Sequence, residues 1–390
     1  MFLEATLQKN PALIQASFKF HRDGLIYPNT YIIDLDMIEK NTAILAESAK
    51  KHDIRLLAMT KQLGRNPLVA KSIAKAGINS FVAVDPWEAL QLSSAGLNIG
   101  NIGHLVQIPK AMIPKMLDLT PEFITVFSYE NAALISKHAA SLKNKQKLLL
   151  KIDDGMDCYP GQEGGILLSN LLLEAEKISK LKNVEICGLT AFPCVLFDET
   201  AKEFVLTNKA KILKEADMLL KQNGYELETL NMPSANTSSS FEMIAKEGGN
   251  LLEPGHAISG STPAHAASAQ PELPAIVYVS EVAVKSHEAA YAYGGGAYGR
   301  SKLKSALVGS TYDKLITSNF EFSFPPSENI DYYGCIKGDT KPLNIGDTVI
   351  AAFRTQIFAT RALVAVASGI QSGNPKILGI FDSLGKEVLY

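Results

Sequence analysis

The chain has 390 residues, enough for two domains, and 46% of them are hydrophobic, enough for a sizeable core. The formal net charge of −2 argues against a nucleic-acid or anionic-membrane partner. The four cysteines, Cys158, Cys187, Cys194 and Cys335, have neither CxxC pairing nor zinc spacing, so free thiols, no metal site and a cytoplasmic location are expected.

In chain order, residues 1–27 read as a helical extension without the basic and apolar regions of a signal peptide. No apolar run approaches ~20 residues, so no membrane span is expected. From residue 28 to 268, short β-rich runs alternate with helical patterns. The strand candidates are Tyr31–Leu35, Leu56–Thr60, Ser80–Val84, Ile102–Val106, Phe123–Phe127, Lys147–Ile152, Val184–Leu189, Thr229–Met232 and Leu251–Leu252. Pro67 suits a first helical turn, and Asp85 an N-cap before Pro86–Ala95. Further helices are expected over Ala132–Ser141, Ile166–Ser179 and Glu203–Gln222. This alternation predicts parallel strands with crossover helices, an α/β fold of the (β/α)8 TIM-type barrel class. Nine candidates are one more than such a barrel needs, and the first is the one to pair elsewhere. Beyond Pro271 and Pro274 the texture changes to β-type runs with Gly, Asn and Asp turns. Residues 269–390 are therefore expected to form a second, mainly antiparallel β domain.

Several strand candidates end in polar or glycine-rich segments, which a barrel gathers at its C-terminal rim. The apolar run Leu56–Thr60 delivers Lys61 to its tip. Desolvation there lowers an amine's pKa and makes it nucleophilic, as a Schiff-base lysine requires; a lysine that simply meets solvent is the plainer reading. Ser234-Ala235-Asn236-Thr237-Ser238-Ser239-Ser240 opens a helix with small hydroxyl residues, which suits a phosphate or an ordinary N-cap. Glu253-Pro254-Gly255-His256 follows the last strand. Gly255 allows close approach of a ligand, its N–H and that of His256 could complete a phosphate cradle, and Glu253 calls for a cationic partner. In the second domain, Tyr291-Ala292-Tyr293-Gly294-Gly295-Gly296-Ala297-Tyr298-Gly299-Arg300 could present a phenol to a cleft as a general acid or base, or form a glycine-rich turn. His104, His256 and His265 have no metal spacing and read as structural. Lys209, Lys211, Lys214 and Glu215 read as a solvated helix face.

Taken together, these segments resemble the alanine racemase-like, fold-type III enzymes that use pyridoxal 5'-phosphate (PLP). Tyr31–Asp36 is similar to the family's opening strand, and Ala58-Met59-Thr60-Lys61 to the strand end that carries the cofactor lysine. Lys151-Ile152-Asp153-Asp154-Gly155-Met156 resembles the KxDTGM segment, Ala235-Asn236-Thr237 the phosphate segment, and Glu253-Pro254-Gly255 with Gly260 the RPGxxLYG segment. The TK ending and the NSSS-like loop are closest to YhfX-type proteins and ornithine racemase-like amino-acid racemases.

The resemblance implies a PLP-binding barrel and cofactor contacts from Lys61, Arg65, Phe192, Asn236, Thr237, Glu253, Gly255 and His256. It implies Lys61 and Tyr293 as the two catalytic bases, a small amino-acid substrate, and a homodimer with shared active sites. The departures point away from alanine racemase itself. Glu253 stands where that enzyme has an arginine, which would favour a protonated pyridine ring. Cys158 also replaces an arginine, Arg65 a phosphate-binding tyrosine, Phe192 a ring-stacking histidine, and Gly295 an aspartate. The expected activity is amino-acid racemisation or epimerisation. A lyase or aldolase on the same scaffold and a non-catalytic PLP-binding protein are the alternatives.

Overall fold

The structure is a computed structural model that describes residues 2–156, 164–295, 298–326 and 328–389. The chain divides into two compact units, one of Ala43–Thr60 and Ile73–Gly255, the other of Met1–Thr42, Lys61–Ser72 and His256–Tyr390.

The first unit is a barrel of parallel strands. The segments Arg55–Leu56 and Ala58–Met59 are successive stretches of one extended run. The former pairs with Leu251–Leu252 and the latter with Ser80–Ala83, which closes the sheet. Between them the order follows the chain: Ser80–Ala83, Asn98–Ile102, Phe123–Val126, Gln146–Asp153, Val184–Thr190, Thr229–Asn231 and Leu251–Leu252. The (β/α)8 expectation therefore holds, and Leu57, Met59, Val82, Phe123, Leu149 and Leu251 pack into one buried cluster of the unit.

The helix expected over Ile166–Ser179 is helical only over Leu171–Ser179, because Ile166–Leu167 pairs with the end of Gln146–Asp153, and two further elements differ from expectation for local reasons. The strand expected over Ile102–Val106 runs instead over Asn98–Ile102. It stops where Gly103 turns at φ +96, against the Thr125 carbonyl, and Asn98 and Asn101 mask it in the sequence by interrupting the apolar pattern. The helix expected over Glu203–Gln222 starts later. Glu203–Leu206, rich in β-forming residues, pairs antiparallel with Val195–Asp198. The helix Asn208–Gln222 then begins after Thr207, whose side chain caps it by accepting from the Ala210 N–H.

In the second unit, Ile276–Lys285, Ala289–Tyr293, Tyr333–Lys337, Phe320–Ser323, Ser305–Gly309 and Thr348–Ala351 close into a ring of antiparallel pairs. The first strand, Thr30–Asp34, does pair elsewhere. It lies antiparallel to Ile276–Lys285 and parallel to Leu363–Ser368 in this sheet. The N-terminal residues are helical, as Phe2–Lys9 and Pro11–Arg22, and belong to a core. Phe2, Leu3, Leu13, Ile14 and Phe20 pack with Ile32, Val277, Leu307 and Ile350. Full burial of such side chains is worth roughly 1.5–3 kcal/mol each, so these helices contribute to the stability of the sheet.

Candidate active site

In the barrel unit, polar side chains gather at the C-terminal ends of the strands around Glu253. Its side chain is fully buried. Oε1 accepts hydrogen bonds from Asn101 Nδ2 at 3.1 Å and Asn231 Nδ2 at 2.9 Å. Oε2 lies 3.4 Å from Nε2 of His104, which is fully buried as well. Asn231 follows directly on the neighbouring strand, whereas Asn101 belongs to a strand well removed in the sheet order and meets Glu253 through the barrel interior. Both amides are anchored: Thr125 Oγ1 donates to Asn101 Oδ1 at 3.0 Å, and Asn231 Nδ2 lies 3.2 Å from Thr190 Oγ1. Phe192 meets the His104 ring edge-on, with centroids 5.5 Å apart at 87°. The contacts of Glu253 include two amides and the imidazole of His104. His104, which reads as a structural histidine in the sequence, sits beside the candidate carboxylate. The only trace of these amides in the sequence is an asparagine near the C-terminal end of each strand, a residue that needs partners when buried.

The candidate phosphate segment lies beside this cluster. Asn236 Oδ1 accepts from the Glu253 N–H at 3.0 Å and its Nδ2 donates to the Met232 carbonyl at 3.1 Å, so its amide braces the loop against the strand end that carries Glu253. Ser234 and Ala235 both adopt left-handed backbone, at φ 89 and 46. That region costs a non-glycine residue roughly 1–3 kcal/mol and is concentrated at functional sites. Thr237 is the N-cap of the short turn Ser238–Ser240, and its N–H donates to Ser240 Oγ at 3.1 Å. Thr60 Oγ1 donates at 2.7 Å to the fully buried Glu88, which also accepts from the Val84 N–H at 2.9 Å.

Lys209, expected on a solvated face, is buried. Its Nζ bonds Asp153 and lies 3.0 Å from Asp154 Oδ1, while Asn208 Nδ2 donates to Asp154 Oδ2 at 3.0 Å. The correction has a simple cause: Lys209 sits in the first turn of a helix that starts at Asn208, beside two carboxylates at a strand end. Cys158 lies outside the described residues.

In the other unit, Lys61 is half-buried at the start of the single turn Lys61–Leu63. One hydrogen bond joins this turn to Thr355, and two more tie down Thr355 and its neighbour Arg354. Thr355 Oγ1 donates to the Gln62 carbonyl at 3.0 Å, His256 Nε2 bonds the Thr355 carbonyl at 2.8 Å, and the Arg354 N–H donates to the Ser301 carbonyl at 2.9 Å. Burial pushes the His256 pKa well below its usual value. The charges of Arg354, Lys61 and Arg300 push the same way, against the Thr355 carbonyl. His256 is thus neutral, and because Nε2 donates, its Nδ1 carries the lone pair. Arg65 is buried with left-handed backbone, φ 52, and its guanidinium sits 5.0 Å over the Phe358 ring.

Tyr293 ends the strand Ala289–Tyr293 and is 48% exposed. The glycines after it are required by packing. A Cβ at Gly294 would come within 2.1 Å of Tyr278 Oη, and one at Gly295 within 1.8 Å of the Asp331 carbonyl. That contact explains why Gly295 replaces the aspartate of the GYxDG-like pattern. Gly296 and Ala297 lie outside the described residues.

The sequence model described as alanine racemase, N-terminal domain, matches residues 33–263, and that of the YhfX-like C-terminal domain matches residues 277–377. The chain is 38% identical to the YhfX protein of Escherichia coli (strain K12) over 389 residues, 100% of both chains. It is 29% identical to alanine racemase 1 of Clostridium acetobutylicum over 192 residues, 49% of this chain and 48% of that one. Among solved structures, D-threonine aldolase from Filomicrobium marinum superposes with a TM-score of 0.69 at 16% identity, covering 92% of this chain and 95% of that one. Alanine racemase from Clostridium difficile 630 in complex with cycloserine gives 0.61 at 18% identity, covering 92% and 99%. At these identities the structures establish the fold alone. No helix among the described residues is long and apolar enough to cross a membrane.

Proposed function

The chain belongs to the alanine racemase-fold family, whose cofactor is PLP, and from that premise we propose that it is an amino-acid racemase or epimerase distinct from alanine racemase. The observation that carries the reading is the buried Glu253 carboxylate, held by Asn101, Asn231 and His104. A carboxylate at a barrel strand end, oriented by two amides, fits a protonated pyridine nitrogen. The consecutive left-handed residues Ser234 and Ala235 fit a loop whose N–H groups meet a phosphate.

When bound, the cofactor takes up the electron pair left at the substrate's α-carbon. Lys61 Nζ would anchor the cofactor covalently and then remove or return the α-proton on one face. Tyr293 Oη would serve the opposite face, in its own site or that of a second copy in a homodimer. Glu253 would hold the proton on the ring nitrogen through a charge-assisted hydrogen bond. Thr237, the Gly255 and His256 backbone, and Arg65 would hold the phosphate, and Phe192 would pack beside the ring.

Borohydride reduction of the PLP-loaded protein, followed by peptide mapping, should place the label on Lys61, and Lys61→Ala should abolish the visible absorbance band. A label on another lysine overturns the cofactor assignment. A panel of single-enantiomer amino acids should then show loss of optical rotation without change in amount. Release of an aldehyde or keto acid instead would move the chain to the lyases.

A further inference from the structure

Thr60, the residue bonded directly to Lys61, ends the first run of the barrel sheet and is tied down on both flanks. On one flank the N–H of Met59 donates to the Pro254 carbonyl at 2.9 Å. On the other, Met59 pairs with Val82 in the strand Ser80–Ala83, and Thr60 Oγ1 donates to Glu88 Oε1 at 2.7 Å. Thr60 and Glu88 are both fully buried.

Glu88 lies in the first turn of the helix Pro86–Ser94, where its N–H donates to the N-cap Asp85 at 2.9 Å. Its Oε2 accepts from the Val84 N–H at 2.9 Å. A glutamate three residues after an N-cap closes the helix start by reaching back to the backbone, and one oxygen does that. Here the other oxygen crosses to the neighbouring strand run and takes the Thr60 hydroxyl. Burying a carboxylate is costly unless it is well bonded, and a cap alone needs no burial. Threonine is stiff at χ1, so anchoring its Oγ1 also fixes the backbone that carries it. The helix start is thereby tied to the residue that delivers Lys61.

We infer that Glu88 and Thr60 are positioning residues for Lys61: their hydrogen bond fixes the backbone from which the lysine amine reaches the cofactor aldehyde. This rests on the reading that Lys61 is the cofactor lysine. The Lys61 amine bonds the aldehyde carbon, and the aldehyde oxygen leaves with the two amine protons as water. A misplacement of about 1 Å in such a step can cost about 10²-fold in rate.

The test follows attachment rather than turnover. Full-length apoprotein of the wild type, Thr60→Val, Thr60→Ser, Glu88→Gln and the double variant Thr60→Val/Glu88→Gln is mixed with saturating PLP. Borohydride quenching over time, with peptide mapping, gives the rate of fixation to Lys61, and equilibrium dialysis gives total PLP bound. Thr60→Val keeps the shape and removes the donor, so fixation should slow about tenfold or more while total binding stays within about twofold. Thr60→Ser keeps the donor and should restore the wild-type rate. Glu88→Gln should also slow fixation, and the double variant should be little slower than Thr60→Val, because both changes strike one bond.

A merely structural role would lower the melting temperature of the apoprotein and leave the fixation rate at saturating PLP unchanged. That result in Thr60→Val, with the wild-type label on Lys61, overturns the positioning role and leaves the cofactor lysine in place. Additive slowing in the double variant overturns it too. A wild-type label on another lysine brings down the Lys61 reading and this inference with it. Should Thr60→Val fail to fold, Glu88→Gln decides by the same rate: slower fixation supports the positioning role and an unchanged rate overturns it.

Discussion

The barrel unit buries carboxylates at two strand ends and holds them by different chemistry. At the end of Gln146–Asp153, Asp153 and Asp154 are gripped by the ammonium of Lys209, with further donors from Asn208 and the Gly164 N–H. Burial raises both carboxyl pKa values, but the Lys209 contacts with the other hydrogen bonds outweigh it and hold both below the usual range. At the end of Leu251–Leu252, Glu253 is held by two amides and an imidazole. An ion cluster satisfied by its own cation locks a strand end to a helix. At Glu253 two donors to Oε1 are amides rather than an ammonium. Burial alone does not separate the two; the chemistry of the neighbours does.

The largest effect should come from breaking the first cluster. Lys209→Met leaves two buried carboxylates without their ammonium, and removal of one partner from a buried ion pair costs about 3–5 kcal/mol. Urea unfolding measures it, and the protein that folds should still acquire the PLP absorbance band. A loss below about 1 kcal/mol would mean that the cluster is solvated in solution and that the contrast with Glu253 is not structural.

Glu253→Gln probes the other side. It keeps the shape, so the fold and PLP binding should persist, whereas turnover should fall about 10²–10³-fold, the scale found for removal of one preorganised electrostatic group. Full turnover in the Gln variant would remove the electron-sink argument and return the site to the alanine racemase type of chemistry.

The contrast between these sites was only half legible in the sequence. Seven of the eight barrel strands could be read because each is a short apolar run bounded by helical patterns. Lys61, Glu253 and Tyr293 stood out because a charge or a phenol at a strand end, beside glycines, is chemically unusual. Asn101 and Asn231 were hidden, since one asparagine in a strand looks like a weak break until its partner across the barrel is known. Lys209 was misread because a lysine among lysines and glutamates on a helix resembles a solvated face, and only the late helix start at Asn208 turns it toward Asp153. The N-terminal helices gave no sign in the sequence of packing on the sheet, because their contacts lie hundreds of residues away.

Thr237→Val tests the phosphate segment next to Glu253 with a smaller expected effect. Loss of a hydrogen bond to a charged group should weaken PLP affinity by ~1–3 kcal/mol, read by spectral titration, with Glu253-dependent chemistry otherwise intact. Unchanged affinity would reassign Thr237 to capping the turn Ser238–Ser240 alone.

The smallest effect is a pH dependence, and its sign separates the ion cluster from a buried neutral histidine. Asp153 and Asp154 have folded pKa values below those of the unfolded chain, ~3.9 for an aspartate. Their stabilisation is therefore complete above that pH and is lost as pH falls through the lower folded values. His256 is also depressed, chiefly by burial and then by Arg354, with Lys61 and Arg300 adding to it. Its unfolded form takes up a proton near ~6.5 while the folded form does not, so its contribution is present above that pH and declines below it by at most about 1.4 kcal/mol per pH unit. Stability should thus fall in two steps, one from about pH 6.5 downward and one below about pH 4. His21, also depressed by burial against an opposing Glu281, adds to the first step. The difference between wild type and His256→Asn isolates the His256 share: the variant should lose part of the slope between pH 6.5 and 5.5 and keep the acid step. Lys209→Met should do the reverse. Identical slopes in wild type and His256→Asn would show that His256 is protonated in the folded protein, and would remove the neutral-imidazole assignment beside Lys61.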